Sequence, residues 1–423
     1  MNRLLFAVAI IFLGTLGPSI LFANQEKELP GITKEISRDE PDMKISLTKK
    51  IPDHMIMQDV FKNFTALIPY MSNPIDFTDP KNDQKIYSHI LNVSMAFQNA
   101  THAKMLNSQG FKPSLQTMQE HLKGTADAFS SNHKNFALSR LRAASTMCIS
   151  CHSQLPKEKG LSFNLMVNQV NRKNFNSDFT FAEYLFIVRN YDKAIKSYEN
   201  AINEAIKNGQ SLSKMEKELF QVQGPLTRVI TESLNQILQI SLKIQQDPKK
   251  ALMLINKIKK NGKLPKFIYP QLENIKGQLD VLEKVTLKAP SNDSELEEFI
   301  KKQVEGHQTN AIPGEIDLKL LQVSGILSRY LNSHFETTDV PLIYYWLSFA
   351  ERQISKTFYF GLSDIYLKEC IRTNPKHAYA KKCFDEYEEQ LTFGYTGSSG
   401  TFIPDDEKKE LAELKALVKT KYP

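Results

Sequence analysis

The stretch FALSRLRAASTMCISCH, residues 136–152, decides how the rest of this sequence is interpreted. Its apolar residues recur at intervals of three and four up to Cys148, which predicts an amphipathic helix ending in C-I-S-C-H. On a helix, Cys148, Cys151 and His152 share one face. Two thiols on one face, followed directly by an imidazole, form the attachment pattern of a c-type haem.

That pattern predicts one covalent haem c. Cys148 and Cys151 would form thioethers with the vinyl groups, and His152 would bind the iron as proximal ligand. Three other interpretations stay open: a redox-active dithiol, a structural zinc site and a disulfide. A redox dithiol normally opens a helix instead of ending one. A zinc site needs further ligands, and the other two cysteines, Cys370 and Cys383, lie more than 200 residues away.

The N-terminal residues 1–23 have the pattern of a secretory signal peptide. Basic Arg3 is followed by a short apolar run from Leu4 to Leu16, which is broken at Gly17 and Pro18 before the small residue Ala23. The apolar run is too short for a comfortable membrane span, so we expect cleavage, export to the periplasm or an equivalent compartment, and no transmembrane segment in the mature chain. An uncleaved anchor is the alternative. Residues 24–50 are expected to form a charged linker. Export agrees with haem attachment, which occurs outside the bacterial inner membrane.

The composition predicts an all-α protein. Glycine (17) and proline (19) are sparse among 423 residues, and Lys, Leu, Glu, Gln and Ala recur with helical spacing. About 400 residues exceed what one core usually organises, so we expect more than one domain. The net charge of +7 is spread along the chain, which argues against nucleic-acid binding and favours an acidic protein partner.

Residues 51–156 predict a four-helix bundle that carries the haem motif at the end of its last helix. Asp53 is the expected N-cap of the first helix. The apolar stripes of the first three helices are Met57, Val60, Phe61, Phe64, Leu67, Ile68 and Met71; Ile86, Ile90, Val93, Phe97 and Ala100; and Leu115, Met118, Leu122, Ala126 and Phe129.

This arrangement resembles the cytochrome c′ family, whose antiparallel four-helix bundles carry C-x-x-C-H near the end of the last helix. In that family the distal residue comes from the first helix. It is a methionine in six-coordinate electron carriers and an apolar residue in five-coordinate members that admit small gases. The resemblance implies Met57 or Met55 as distal iron ligand, with Met57 favoured because it lies on the apolar stripe. Core packing is the alternative for both methionines.

The sequence makes weaker predictions for two arginines and several histidines near the motif. Arg140 and Arg142 are expected either to contact a haem propionate or to lie on a solvated helix face. His54, at the start of the first helix, is a further candidate for the distal iron ligand, with a solvated side chain as the alternative. The histidines of the second and third helices and their links are expected to be surface or core residues; they are His89, His102, His121 and His133.

Residues 178–423 predict a helical-repeat domain. Tyr191, Ala194, Tyr198 and Ala201 alternate large and small side chains at offsets of 0, 3, 7 and 10, and Phe360, Ser363, Leu367 and Cys370 stand at the same offsets. The segment 190–202 resembles the second helix of a tetratricopeptide (TPR) repeat, although the middle of the domain lacks a clean period. The resemblance implies a TPR-like α-solenoid whose groove binds a partner protein. A generic helical bundle is the alternative.

Cys370 and Cys383 flank the turn Thr373-Asn374-Pro375. This position predicts a disulfide that joins two consecutive antiparallel helices in an oxidising compartment. Packing as two free thiols is the alternative.

Together, the sequence predicts an exported monohaem cytochrome with a protein-binding repeat domain and a redox partner, acting in electron transfer. The alternative is a haem protein that binds or senses nitric oxide or carbon monoxide. A dihaem peroxidase would need two C-x-x-C-H motifs, and the chain has one, so an enzyme is not expected.

Overall fold

The chain folds almost entirely into helices, as its composition predicts. The computed structural model describes residues 52–100, 103, 105–154, 170–211, 224–260, 263–305, 307, 316–334, 336–354, 362–398 and 400–419. The predicted signal peptide and linker, residues 1–50, lie outside the described residues, as do His102 and Phe360. The described residues all belong to one compact unit that spans residues 50–423.

The first group of helices leads to the haem motif. These helices are α1 (Asp53–Ser72), α2 (Pro74–Thr78), α3 (Asp83–Asn99), α4 (Lys112–Ser130) and α5 (Lys134–His152), with a 3₁₀ turn at Pro80–Asn82. The predicted stripes of α1, α3 and α4 are buried, apart from Met57 and Phe61, which are partly exposed. Residues from α1 to α5 form one continuous apolar core. Each helix buries one apolar face in this core, which explains why these segments form helices that pack side by side.

Contacts at the helix ends fix the directions of these helices. Gln154, after the end of α5, donates to Ser114 at the start of α4 (3.0 Å). Lys134, at the start of α5, pairs with Asp83 at the start of α3 (2.7 Å). Asp53 at the start of α1 accepts hydrogen bonds from backbone nitrogens just beyond the end of α3. Therefore α1 and α4 run one way, α3 and α5 run the other, and the motif lies at the end where α1 begins.

Asp53 differs from its predicted role. Pro52 precedes α1, and Asp53 is the first residue of the helix. The Oδ1 atom of Asp53 accepts from the backbone nitrogens of Met105 and Leu106, at 3.1 Å each. The carboxylate therefore holds the α3–α4 connection instead of capping its own helix.

The second group of helices runs from residue 178 to residue 419. It comprises α6 (Asp178–Ile187), α7 (Tyr191–Gln210), α8 (Pro225–Leu238), α9 (Pro248–Lys259), α10 (Ile268–Leu282), α11 (Asp293–Ile300), α12 (Leu318–Ser333), α13 (Val340–Ile354), α14 (Leu362–Thr373), α15 (Ala378–Gly394) and α16 (Asp405–Lys419). A 3₁₀ turn precedes α6 at Arg172–Asn174. Consecutive helices pack against each other: α6 on α7, α7 on α8, α9 on α10, and α12 through α16 in succession.

The alternation of large and small residues on α7 has the expected structural basis. Tyr191, Ala194, Tyr198 and Ala201 are all buried, because α6 and α8 both pack against α7. The small residues let the neighbouring helices approach, and the tyrosines fill the space between them.

Two π-helical turns interrupt the regular pattern, at Gln239–Ile244 after α8 and at Lys301–Glu305 after α11. Helix α12 crosses the first of these turns at Gly325. A Cβ atom at Gly325 would lie 2.2 Å from the carbonyl oxygen of Lys243, so only glycine permits this approach.

The C-terminal helices contain the predicted cysteine pair. Helix α14 ends at Thr373 and α15 begins at Ala378, so the expected turn lies between them. Cys370 and Cys383 are joined by a disulfide with a Cα–Cα distance of 6.4 Å. After α15, the strands β1 (Thr396–Gly397) and β2 (Gly400–Thr401) form a short antiparallel hairpin.

Helix α14 also contacts the first group of helices, where it packs on α4. Lys112 at the start of α4 pairs with the buried Glu369 of α14 at 3.0 Å. The hydroxyl of Tyr344 on α13 donates to the carbonyl of Gln109 just before α4. None of the helices in the described part of the chain combines the length and apolar character needed to cross a bilayer.

Candidate haem-attachment site

The C-x-x-C-H motif forms the last turn of α5, as the helical spacing predicts. Cys148, Cys151 and His152 are partly buried, and the two thiols are free. Cys148 packs against the core of the first group of helices. The structure therefore does not join the two thiols in a disulfide.

The imidazole of His152 is held by a backbone group from another helix. Its Nδ1 atom lies 2.5 Å from the carbonyl oxygen of Ile187. Ile187 is the last residue of α6, and the final carbonyls of a helix have no intrahelical donor. A carbonyl accepts only, so Nδ1 carries the proton and Nε2 keeps its lone pair. A hydrogen bond from Nδ1 to a carbonyl oxygen orients histidines that bind metals through Nε2.

Burial sets the protonation states of the motif. It raises the pKa of Cys148 and of Cys151 to about 12, in Cys151 with a further contribution from Cys148, and it lowers the pKa of His152 to about 4. At neutral pH the site therefore holds two thiols and a neutral imidazole. A redox-active dithiol needs a lowered thiol pKa, so these raised pKa values do not favour that interpretation.

Arg189 is the cationic residue whose charge acts on the motif. Its positive charge lowers the pKa of Cys151, against the larger effect of burial. It also lowers the pKa of His152, in the same direction as burial. The α6–α7 turn places it there: α6 ends at Ile187 and Arg189 adopts a left-handed conformation with φ of 61°. Glycine usually occupies this position after a helix, whereas other residues adopt it at a cost of roughly 1–2 kcal/mol. The Nε atom of Arg189 donates to the hydroxyl of Tyr191 at 3.0 Å.

Tyr366 of α14 is buried, and burial raises its pKa well above the usual value, with smaller contributions from Glu351, Tyr344 and Cys151. The hydrogen-bond partner of His152 therefore comes from α6, outside the predicted haem domain. Sequence reasoning missed these residues.

The methionines predicted as distal ligands lie at the motif end of the bundle. Met57 is partly buried and packs against the same core as Cys148, whereas Met55 is 50% exposed. Phe61 lies one turn after Met57 on the same stripe, and its ring centroid is 6.3 Å from that of Tyr184 on α6.

The alignment of α1 against α5 shows which residues of α1 lie at the same height along the bundle as His152. Arg142 donates from Nη2 to the carbonyl of Met71 at 2.7 Å. Because α1 and α5 run in opposite directions, residues equally far from this contact lie at about the same level. Phe61, ten residues before Met71, therefore lies roughly level with His152, ten residues after Arg142, and Met57 lies one turn beyond.

The two arginines of α5 bind backbone groups of neighbouring helices. Arg140 donates from Nη2 to the carbonyl of His121 at 2.8 Å and from Nε to Thr125 at 3.2 Å. Arg142 is exposed, but its guanidinium holds the end of α1. His121 is a core residue whose Nε2 contacts the carbonyl of Arg140 at 2.7 Å. These contacts give both arginines a structural role about two turns before the motif.

A cavity of about 1100 Å³ borders the motif helix on another face. Ile149 and Ser153 line it, and they lie about 100° around α5 from Cys148 and His152. Its opposite wall comes from α6 and α8, including the buried Tyr184. The Tyr184 hydroxyl and the Gln236 Oε1 atom, which also lines the cavity, are buried and have no hydrogen-bond partner among the described residues.

The residues of the motif fit a covalent haem. The two free thiols and the imidazole share the face of one helical turn, and the Ile187 carbonyl leaves Nε2 available for iron. Among the described residues, no three His, Cys, Asp or Glu side chains converge as a metal-ligand group. The chain matches no protein-family model, no curated protein and no solved structure.

Proposed function

We propose that this protein is an exported monohaem c-type cytochrome that carries electrons. One haem c would be held by thioethers at Cys148 and Cys151, with His152 as proximal ligand. The hydrogen bond from His152 Nδ1 to the carbonyl of Ile187, 2.5 Å long, is the observation that carries the proposal. It fixes both the tautomer and the orientation that an iron-binding imidazole requires.

Different residues of the chain would have separate roles in such a site. Bound haem would supply a one-electron couple between ferric and ferrous iron. The cysteines anchor the group, the Ile187 carbonyl orients His152, and the apolar surroundings of Cys148 exclude water. No group in this arrangement needs to act as an acid, base or nucleophile, so we propose a carrier and not a catalyst.

The proposed architecture is a c′-like four-helix haem domain at residues 51–156, followed by a TPR-like α-solenoid at residues 178–423. The antiparallel order of α1, α3, α4 and α5 supports the first part, and the buried large and small residues of α7 support the second. The repeat domain would bind a partner protein, including a redox partner. The cavity beside α5 suits such a role, because Thr231, Asn235 and Gln239 line it at four-residue spacing.

A second candidate function is gas-ligand binding. The observation that favours it is the position of Phe61, an aromatic residue that lies at about the same height along the bundle as His152. If Phe61 faces the distal side, no protein atom there can bind the iron, and nitric oxide or carbon monoxide could do so.

Spectroscopy of the protein made in a host with a haem-attachment system tests the proposal. We expect the haem to stay with the chain in denaturing electrophoresis and to give a two-thioether pyridine haemochrome. Cys148→Ala and Cys151→Ala should each weaken attachment, and His152→Ala should remove the proximal field while the pigment remains. Extraction of the pigment by acid acetone would contradict covalent attachment. Strong carbon monoxide binding by the wild-type protein would favour the second candidate function.

A further inference from the structure

The cavity beside α5 runs along the length of α8. Arg228 near the start of α8 and Lys243 in the π-helical turn after it both line the cavity. These two residues are 15 positions apart, so the cavity extends for roughly 20 Å along the helix. Its volume of about 1100 Å³ is slightly above the ~300–1,000 Å³ of ordinary small-molecule pockets. A space of this length and volume suits an elongated ligand built from several linked units.

One wall of the cavity is a row of uncharged polar side chains. Thr231, Asn235 and Gln239 line it at intervals of one turn of α8, and Gln236 lies next to Asn235. Hydroxyl and amide side chains both donate and accept hydrogen bonds. A hydrocarbon ligand would leave these groups without partners, which is unfavourable in an enclosed space. The ligand that fits this wall therefore has many groups that donate and accept.

Aromatic rings form much of the remaining lining. They come from α1, from α6 and from the segments just before α6 and α10: Phe64, Phe175, Phe179, Tyr184 and Phe267. The rings of Phe175 and Tyr184 pack together, with centroids 5.4 Å apart. A sugar ring has apolar C–H faces that pack on aromatic rings, and its edge carries hydroxyls that bind amides. The combination of an aromatic lining with a row of amides matches both properties of a sugar.

The charged side chains of the lining balance one another. Among the described lining residues, three are cationic and three are anionic. Four of them form ion pairs, Lys243 with Glu351 at 2.8 Å and Arg228 with Glu232 at 2.6 Å. The other two form hydrogen bonds: Arg142 donates to a backbone carbonyl, and Glu183 accepts from a tyrosine hydroxyl. A charged ligand would find no uncompensated opposite charge to replace its lost hydration, so the lining favours a neutral ligand.

We propose that this cavity is a binding site for a linear, uncharged oligosaccharide. The sugar hydroxyls pair with the polar row of α8, and the ring faces pack on the aromatic lining. The number of aromatic rings favours sugar rings over a peptide backbone, which has no flat apolar face. Ile149 and Ser153 line the same cavity, so the ligand lies against the helix that carries the C-x-x-C-H motif. This site goes beyond electron transfer and does not depend on the proposed haem.

Isothermal titration calorimetry of the full chain tests the proposal, with cellotetraose, chitotetraose and maltotetraose as probes. At least one of them should bind, and its monosaccharide should bind at least about tenfold more weakly, because it fills only part of the cavity. Tetragalacturonic acid, a charged tetramer, should also bind at least about tenfold more weakly. Asn235→Leu should weaken binding of the tetrasaccharide about tenfold, because it removes one amide from the polar row. Asn208→Leu, at an exposed asparagine of α7, is the matched control and should leave the affinity unchanged.

Several outcomes would overturn the proposal. One is that none of the three tetrasaccharides binds the folded chain. Another is that Asn235→Leu has the affinity of the wild type or of Asn208→Leu, since the sugar would then bind elsewhere. Binding of acetyl-pentaalanine amide by a chain that binds no sugar would assign the cavity to a segment of a partner protein.

A second variant keeps the proposal testable if Asn235→Leu does not fold. Thr231→Val removes one hydroxyl from the same row at nearly constant volume. Weaker binding of the tetrasaccharide by this variant would support the proposal, and unchanged binding would overturn it. Absence of covalent haem would refute the proposed electron carrier and would leave these binding results as they are.

Discussion

The Nζ atom of Lys243 lies 2.8 Å from the Oε1 atom of Glu351, and both side chains are buried. This pair joins the π-helical turn after α8 to α13. Removing one partner leaves the other charge buried without compensation, which typically costs about 3–5 kcal/mol.

We therefore expect Lys243→Met to lower the free energy of unfolding by about 3–5 kcal/mol. The double variant Lys243→Met/Glu351→Leu should recover most of this loss, because it buries no charge. Urea denaturation followed by circular dichroism measures both changes. Arg228→Gln, which breaks an exposed pair with Glu232, is the control and should cost less than about 1 kcal/mol. A single variant as stable as this control would contradict the prediction.

The approach of α12 to Lys243 predicts a large effect at Gly325. Gly325→Ala should destabilise the protein by about 1–3 kcal/mol, because the new Cβ would lie 2.2 Å from the Lys243 carbonyl oxygen. Gly277→Ala is a matched control on α10, where no atom of the described residues lies within 4 Å of the added Cβ. There the substitution should stabilise the helix by about 0.5–1 kcal/mol. Opposite signs in thermal unfolding are the expected result, and equal signs would show that α12 does not pack so closely.

The cysteine pair of the α14–α15 hairpin predicts a measurable cross-link. The bond closes a loop with a sequence separation of 13, for which the chain-entropy model gives about 3 kcal/mol of stabilisation. Cys370→Ala/Cys383→Ala should lose an amount of this order in denaturant unfolding. Peptide mass mapping without reduction should find the two cysteines in one linked fragment. Recovery of both as alkylated free thiols would refute the bond.

Glu183 predicts a pH dependence of stability. Burial raises its pKa from 4.5 to about 7, and the hydroxyl of Tyr198 donates to it at 2.6 Å. Between these pKa values the unfolded chain has lost the proton while the folded chain retains it, so stability falls as pH rises from 4.5 to 7.

Glu183→Gln should abolish this slope and should stabilise the protein by about 2–3 kcal/mol above pH 7, with little effect near pH 4. Chemical denaturation at a series of pH values measures the difference. Glu204→Gln, at an exposed carboxylate on α7, is the control and should keep the wild-type slope. The same slope in Glu183→Gln would show that another group is responsible.

Met57 predicts a spin-state change at the proposed haem. If Met57 ligates the iron, Met57→Ala should convert a low-spin spectrum to a high-spin one that binds carbon monoxide, with the thioethers intact. Met95→Ala, at a residue 56% exposed on α3, should leave the spectrum unchanged. A wild-type protein that is already high-spin and binds carbon monoxide would show that Met57 is not a ligand. That outcome would agree with the position of Phe61, which lies closer than Met57 to the height of His152.

The helices of the first group could be predicted because their cores are local. The stripes of α1, α3 and α4 follow from residue spacing alone, and so does the position of the motif at the end of α5. The support of His152 could not be predicted, because Ile187 contributes a backbone carbonyl, which every residue has. Arg189 lies 37 residues after His152 in a turn without periodicity. The sequence signal that could have pointed to Arg189 is the short break between the helical patterns of α6 and α7.

The short helix α2, the π-helical turns and the β1–β2 hairpin were also missed. They are local irregularities fixed by tertiary contacts, such as the fit of Gly325 against Lys243. The approach of α14 to α4 depends on pairs like Lys112 and Glu369, which are 257 residues apart in the chain. No local pattern in the sequence encodes such a pair.

The contact between α14 and α4 sets the order in which the fold can be completed. The four helices around the motif can pair as soon as residues up to 154 have been synthesised, because their contacts are close in sequence. The Lys112–Glu369 pair and the hydrogen bond between His152 and the Ile187 carbonyl have to wait for chain that is made later, and contacts between distant residues form slowly. While the chain is still emerging, Cys148 and Cys151 are therefore more accessible than in the finished protein. A haem-attaching enzyme would work within that interval.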